Sequence, residues 1–163
     1  MSRFEAQNQW RLLKIECLFA AVADKDENAT ETAISSLLIP ADRASDYGFR
    51  TSDYSWYANR YQSRIDGFDR PDGSRRFGLQ ESVLHKMTVV GRCNERLSRS
   101  TGEDVKKILA KRDEIYTDIN EIKSRIAAET RVITILRDLA TKYDRAPGRI
   151  DAQAMPTAVK QAA

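Results

Sequence analysis

Residues 105–143 read VKKILAKRDEIYTDINEIKSRIAAETRVITILRDLATKY. Along this stretch Val105, Ile108, Arg112, Ile115, Ile119, Ile122, Ile126, Glu129, Ile133, Leu136, Ala140 and Tyr143 recur at alternating steps of three and four. Ten of these twelve are apolar in a chain that is 41% hydrophobic, about twice the density that chance supplies. That period belongs to an α-helix with one stripe turned toward other helices. Asp104 three residues after Thr101 marks a start, and Pro147-Gly148 a stop. The spacing predicts one helix over about 102–144.

A helix of that length measures roughly 65 Å, against about 40 Å for the diameter of a compact domain of this size. The chain therefore reads as all-α, an elongated antiparallel bundle built on that C-terminal helix. Seven Gly, four Pro and 31% charged residues agree with a helix-rich protein. The expected organisation is one helical domain over 1–148 and a polar, Ala- and Gln-rich extension over 149–163.

Working outward, Ser2 and Glu5 have capping-box spacing and open a helix over about 3–23. Trp10, Leu13, Cys17 and Ala20 form its expected inner stripe, with Leu12, Phe19 and Val22 widening it. A short helix over about 30–38 turns Ile34, Leu37 and Leu38 inward before Pro40. Ser52 or Asp53 caps another through Ile65, with Tyr54, Tyr57, Tyr61 and Ile65 on one face. Residues 67–78 read as a loop around Pro71-Asp72-Gly73. A helix over about 79–97 aligns Val83, Met87, Val90 and Leu97, with Leu84 alongside. Gly91 weakens it by roughly 1 kcal/mol relative to Ala, which suggests a close helix contact there.

Two readings of the long seam compete. In the first, the helix over 79–97 folds back on its first half and the N-terminal helix covers its second half, so the stripe is internal core. In the second, Ile108, Arg112, Ile115, Ile119, Ile122, Ile126, Glu129, Ile133 and Leu136 form an oligomerisation seam. An antiparallel dimer centred between Asn120 and Glu121 would set Arg112 against Glu129 of the other copy, and these two charges would select the register.

Residues 47–77 hold eight of the thirteen aromatics, interleaved with Arg50, Arg60, Arg64, Arg70, Arg75 and Arg76 and with no Lys. Arginine and aromatic side chains with lysine depleted form the composition of an interface core. They also suit stacking and phosphate contact on single-stranded nucleic acid. Tyr57, Arg60, Tyr61, Arg64, Arg75 and Arg76 are the candidate partner-binding residues. The plain alternative is a packed tyrosine face beside a solvated arginine loop. A net charge of +3 is too mild to imply a polyanion partner.

Nothing in the chain points to chemistry. Asp24-x-Asp26-x-Asn28 opens like a calcium loop, but Ala29 and Ser35 stand where Gly and Glu are required. His85 is the only histidine and has no second ligand at metal spacing. Cys17 reads as a small core residue and Cys93 as unremarkable; isolated cysteines fit a reducing compartment. Phosphate-loop, dinucleotide, zinc-protease and nucleophile-elbow motifs are absent from the sequence. The expectation is a non-enzymatic structural or adaptor subunit with no catalytic residues, metal or cofactor. It would work through protein partners, as a homo-oligomer or in a larger complex such as a phage virion or secretion machine. A helical nucleic-acid-binding protein is the alternative. No membrane span or signal peptide is read, so the expected location is cytoplasmic or virion-associated.

Overall fold

A computed structural model of the chain describes residues 3–37 and 51–145. The described residues are all-α apart from one small hairpin. The helices are α1 (Arg3–Ala23), α2 (Glu27–Leu37), α3 (Thr51–Asp66), α4 (Leu79–Leu97) and α5 (Glu103–Arg145), and strands β1 (Gly67–Asp69) and β2 (Arg75–Phe77) lie between α3 and α4. The seam prediction is met in a single helix of 43 residues. The chain divides into two compact units: residues 59–131 form one, and the described residues of 3–58 and 132–145 form the other.

In the unit holding α1 and α2, those two helices pack on one another. The turn between them is closed by Asp26 N–H donating to the Ala21 carbonyl at 3.2 Å, and Lys25 takes the left-handed conformation that this reversal demands. Asp26 then caps α2, its carboxylate accepting the Ala29 N–H at 2.9 Å. The calcium-like Asp24-x-Asp26-x-Asn28 spacing is therefore a helix cap in practice.

Among the described side chains of α1, Ile15, Leu18, Ala21 and Val22 are buried, and Trp10 lies outside them. This corrects the expected stripe: Leu13, Cys17 and Ala20 are exposed. Two stripes at three–four spacing coexist on this helix, and the one carrying Ile, Leu and Val is buried. Leu37, Tyr54, Tyr57, Ala58, Val132, Ile133, Leu136, Leu139 and Ala140 are the buried apolar residues of the other segments of this unit, with Ala33. The Tyr54 hydroxyl donates to the Leu37 carbonyl at 2.5 Å, which ties α3 to the end of α2.

In the unit formed by residues 59–131, α4 folds back on α5 through the turn at 98–102. Lys86 Nζ donates to Asp118 Oδ2 at 2.9 Å, and Arg112 Nη1 to Asn94 Oδ1 at 3.1 Å. These two bonds fix an antiparallel register. It lays Leu97, Cys93, Val90, Lys86, Val83 and Leu79 opposite Ile108, Arg112, Ile115, Ile119, Ile122 and Ile126. Each seam position from 108 to 126 thus meets a position of the same period on α4. Val90, Cys93, Ile108 and Ile119 are buried, and the other members of both stripes are half-buried. The internal-core reading of the seam describes this half.

The inner stripe of α4 also differs from the expected one. Met87 and Leu84 are exposed, and Lys86 takes the place assigned to Met87. Lysine buries its methylene stem along the stripe while its ammonium group reaches Asp118 at the edge.

Candidate functional site

The 67–78 segment contains a hairpin where a loop was expected. Gly67 pairs with Phe77, Phe68 with Arg76 and Asp69 with Arg75 in antiparallel register. The Pro71-Asp72-Gly73 turn is real. Arg70 N–H donates to the Ser74 carbonyl, Gly73 N–H to the Arg70 carbonyl, and Asp72 Oδ1 accepts from both the amide and the hydroxyl of Ser74. Those two bonds, the hydroxyl first, hold the Asp72 carboxyl below its ordinary value of 3.8.

At the base of the hairpin the chain crosses itself at backbone distance. A Cβ on Gly78 would lie 2.3 Å from Gly67 N and 2.3 Å from the Ile65 carbonyl oxygen. Gly67 adopts a left-handed φ of 79°, and a Cβ there would meet the Arg76 carbonyl oxygen at 2.6 Å. Only glycine fits at either position. Gly78 is the N-cap of α4, and its N–H donates to Glu81 Oε2 at 3.2 Å. Arg75 fastens this joint. Its Nε donates to Glu81 Oε1 at 2.9 Å, its Nη1 to Asp69 Oδ1 at 3.0 Å and its Nη2 to the Asp66 carbonyl at 3.2 Å. The Arg75 guanidinium in turn holds the Glu81 carboxyl below its usual range, with help from the Gly78 N–H. The bonds to Glu81 and then to Asp69 shift the Arg75 guanidinium upward.

The six candidate binding residues separate accordingly. Tyr57 and Tyr61 are buried, as are Tyr54 and Ile65 on the same face of α3. This is the packed tyrosine face of the plain reading, and it leaves neither ring available for stacking on a base. Arg75 is spent on the joint. Arg64 lies over the Tyr61 ring, 5.4 Å from its centroid, and its Nη2 meets Glu129 Oε1 at 2.9 Å. Arg60 and Arg76 are exposed. Tyr47, Phe49 and Arg50 lie outside the described residues.

Glu129 is the seam residue after Ile126, beyond the reach of the α4 stripe that ends at Leu79. It is wholly buried. Oε1 accepts from Arg64 and, at 3.3 Å, from Arg125 Nε, whereas Oε2 has no hydrogen-bond partner. Arg125 thus pairs forward to Glu129. The two seam charges proposed to meet across a dimer each find a partner within the chain: Arg112 in Asn94, Glu129 in Arg64 and Arg125.

What sequence reasoning missed is the outer face of α4. Leu84 is 68% exposed and Met87 45%. Gly91, expected at a close contact, has no atom beyond its own helix backbone within 4 Å of where a Cβ would stand. The signal was present: positions 79, 83, 86, 90, 93 and 97 keep the three–four step better than the stripe through Met87, once Lys86 is admitted to it. Phe68 and Phe77 on the hairpin are exposed as well.

His85 is exposed and Cys93 buried. Among the described residues no group of His, Cys, Asp and Glu is arranged to hold a metal, and no helix is long and apolar enough to cross a membrane. Comparison of the chain with protein-family models, with curated proteins and with solved structures finds no match.

Proposed function

We propose that this chain is a non-enzymatic structural or adaptor subunit that works by contact within a larger assembly. One observation carries the reading: α4 keeps two large apolar side chains outside the face that packs on α5. Its inner stripe is occupied by α5, while Leu84 and Met87 stand exposed on the same helix, and Phe77 in the preceding hairpin is exposed as well. Large apolar side chains left outside a core are the mark of a surface that another protein covers. The joint at residues 65–81 supports the reading in a second way. It fixes the hairpin and the start of α4 through backbone contact and a three-way arginine, so the exposed side chains are presented on a rigid base. A phage virion or a secretion machine is a setting in which such subunits occur.

The test is photo-crosslinking from Leu84 and Phe77 in native extract, with Lys123 on α5 as an exposed control. Discrete protein adducts at 84 and 77, with none at 123, are expected. A chain that elutes as the free monomer from the same extract and gives no adducts overturns the reading.

A second reading has one specific observation in its favour. Phe68 and Arg76 are cross-strand partners, hence on one face of the hairpin, and both are exposed. An aromatic ring beside a guanidinium is the pair used on single-stranded nucleic acid. With Tyr57, Tyr61, Arg64 and Arg75 committed inside the fold, this surface is much smaller than the sequence promised. Binding of a labelled oligonucleotide that is lost in Phe68→Ala and in 0.5 M salt would establish it.

A further inference from the structure

The net charge of +3 is not spread evenly along the chain. Residues 92–112, which comprise the end of α4, the turn and the start of α5, hold seven basic and three acidic residues. That surplus exceeds the net charge of the whole chain, so the remainder is slightly acidic. Five of the seven, Arg92, Arg96, Arg99, Lys107 and Lys111, are exposed. Arg92 and Arg96 lie on one side of α4, and Arg99 follows in the turn that prolongs it, its N–H donating to the Arg96 carbonyl at 3.1 Å. Lys107 and Lys111 share a side of α5 with Asp118, the acceptor of Lys86.

The two sides adjoin. The Arg112–Asn94 and Lys86–Asp118 bonds mark opposite edges of the helix pair. Arg96 stands about 200° round α4 from Asn94, so it emerges at the edge that carries Asp118, Lys111 and Lys107. The antiparallel register brings Arg96 level with Leu109, midway between the two lysines. Arg92 and Arg99 flank it by about one turn on either side. Among the described residues, the side chains of these five cations make no ion pair or hydrogen bond. The nearest carboxylates, Glu95, Asp104 and Glu114, leave them unpaired, and Glu103 is taken by Lys106.

The fold gains little from this cluster. Arg92 with Arg96, and Lys107 with Lys111, are like charges one turn apart, an arrangement that slightly destabilises each helix. Arg96 suits the C-terminal end of α4, but Lys107 lies near the N-terminal end of α5, where the helix dipole gives a cation no support. A ligand of opposite charge gains from all five.

We infer that this cluster binds the phosphate backbone of a nucleic-acid duplex without reading its sequence. The patch runs for about 10 Å along α4, a length over which a duplex presents several phosphates. No large apolar side chain is exposed within it: Met87 and Tyr116 stand at the opposite edge, with Asn94 and Arg112, and Leu84 is about two turns from Arg92. A protein partner would want an aromatic or aliphatic anchor at the centre. A membrane surface would want an apolar face to insert, and a single strand would want a ring on which to stack its bases. A duplex keeps its bases inside and its charges outside, and asks only for cations. The inference goes beyond the contact-based function and uses none of the residues that carry it, so either can fail alone.

Fluorescence anisotropy of a labelled 20-base-pair DNA duplex, titrated with the full chain in 50–200 mM KCl, tests the inference. Micromolar binding is expected at 50 mM, equal for two unrelated sequences. The logarithm of the affinity should fall with the logarithm of salt at a slope of about −4.5, the value for five neutralised phosphates. Arg96→Gln combined with Lys107→Gln should weaken binding at least tenfold at 50 mM and make the slope shallower by about 2. The urea midpoint of that variant should not fall, because it removes repulsion, whereas a folding defect would lower it. Arg96→Lys combined with Lys107→Arg should keep the binding. So should Lys123→Gln combined with Arg131→Gln, an equal loss of exposed charge from α5 outside the cluster. Absence of binding at 50 mM, or an equal loss in the Lys123 and Arg131 variant, overturns the inference. Displacement of the duplex by poly-glutamate at equal charge would assign the cluster to an acidic protein surface and overturn it as well. Binding confined to single strands and abolished by Phe68→Ala would do the same, placing the contact on the hairpin.

Discussion

Two regions of the unit formed by residues 59–131 are built by opposite means. The α4–α5 hairpin is held by stacked layers from Leu97 and Ile108 to Leu79 and Ile126, repeated at a regular step and tolerant of a lysine and an arginine within them. The joint at residues 65–81 has almost no apolar layer. It is held by two glycines at backbone contact, an arginine bonded to three acceptors and a helix cap. Layers of aliphatic side chains supply stability without choosing one geometry, because neighbouring registers bury similar area. Backbone contact and directed hydrogen bonds choose a geometry and supply little burial. The regular region therefore sets how firmly the unit holds together, and the irregular one sets where α4 begins and which of its faces turns to α5.

The sharpest way to break this contrast uses one substitution in each region. Gly78→Ala puts a methyl group 2.3 Å from two backbone atoms. It should cost about 3 kcal/mol, because the atoms it meets belong to the main chain and cannot rotate away. Gly91→Ala, on the open side of α4, should stabilise the monomer by about 1 kcal/mol. Urea midpoints measured on both variants decide the matter. If Gly78→Ala is as harmless as Gly91→Ala, the joint is not the determinant of geometry.

Glu129 lies where the two regimes meet, one step past the last α4 layer. Removing it leaves a buried space and releases Arg64 and Arg125, which are half-exposed and can return to water. Glu129→Ala should therefore cost about 2 kcal/mol, less than the loss of a fully buried ion-pair partner. Glu129→Met should cost under about 1 kcal/mol, since the second carboxylate oxygen is already without a hydrogen bond. Thermal unfolding of the two variants separates packing from pairing. Equal losses would show that the arginines, not the filled volume, hold this layer. Within the regular stripe the effect should be smaller: Ile119→Val, at a position only 2% exposed, should cost about 1 kcal/mol in the same measurement.

The long helix was legible because its signal is additive. Ten apolar residues at one period outweigh Arg112 and Glu129, and the start of α5 falls within one residue of its capping signal. The faces of α1 and α4 were misread for the opposite reason. Each of these helices carries two stripes that satisfy the same spacing, and the choice between them is made by the helix on the other side. Sequence gives no view of that helix. On α4 the decision turned on Lys86, whose stem counts as apolar only once Asp118 is in place to receive its charge. The hairpin was half legible. Pro71-Asp72-Gly73 announced the turn, but three-residue strands alternate too briefly to register. The clash that requires glycine at positions 67 and 78 exists only when the chain has crossed itself. Of the candidate binding residues, the tyrosines had a visible alternative, since their spacing already placed them on one face with Ile65.

The smallest effect is local and depends on pH. Glu81 accepts from Arg75 and from the Gly78 N–H, and both bonds favour its charged form. Its carboxyl therefore titrates below its ordinary value of 4.5, with Arg75 the main cause. A carboxyl lowered in the folded state lends stability that is complete above its unfolded value. That stability is lost as pH falls through the folded value. The joint should thus be intact at pH 6 and loosen well below pH 4.5, while the apolar layers between α4 and α5 stay closed. The amide proton shifts of Gly78 and Phe77 should follow one titration with its midpoint under 4.5, and amides of the buried Val90 and Cys93 should not move with it. In Glu81→Gln the titration of Gly78 should vanish, because the amide group that replaces the carboxylate has no proton to gain in this range. A midpoint at or above 4.5 in the wild-type chain would mean that Arg75 does not hold Glu81, and the joint would then rest on its two glycines alone.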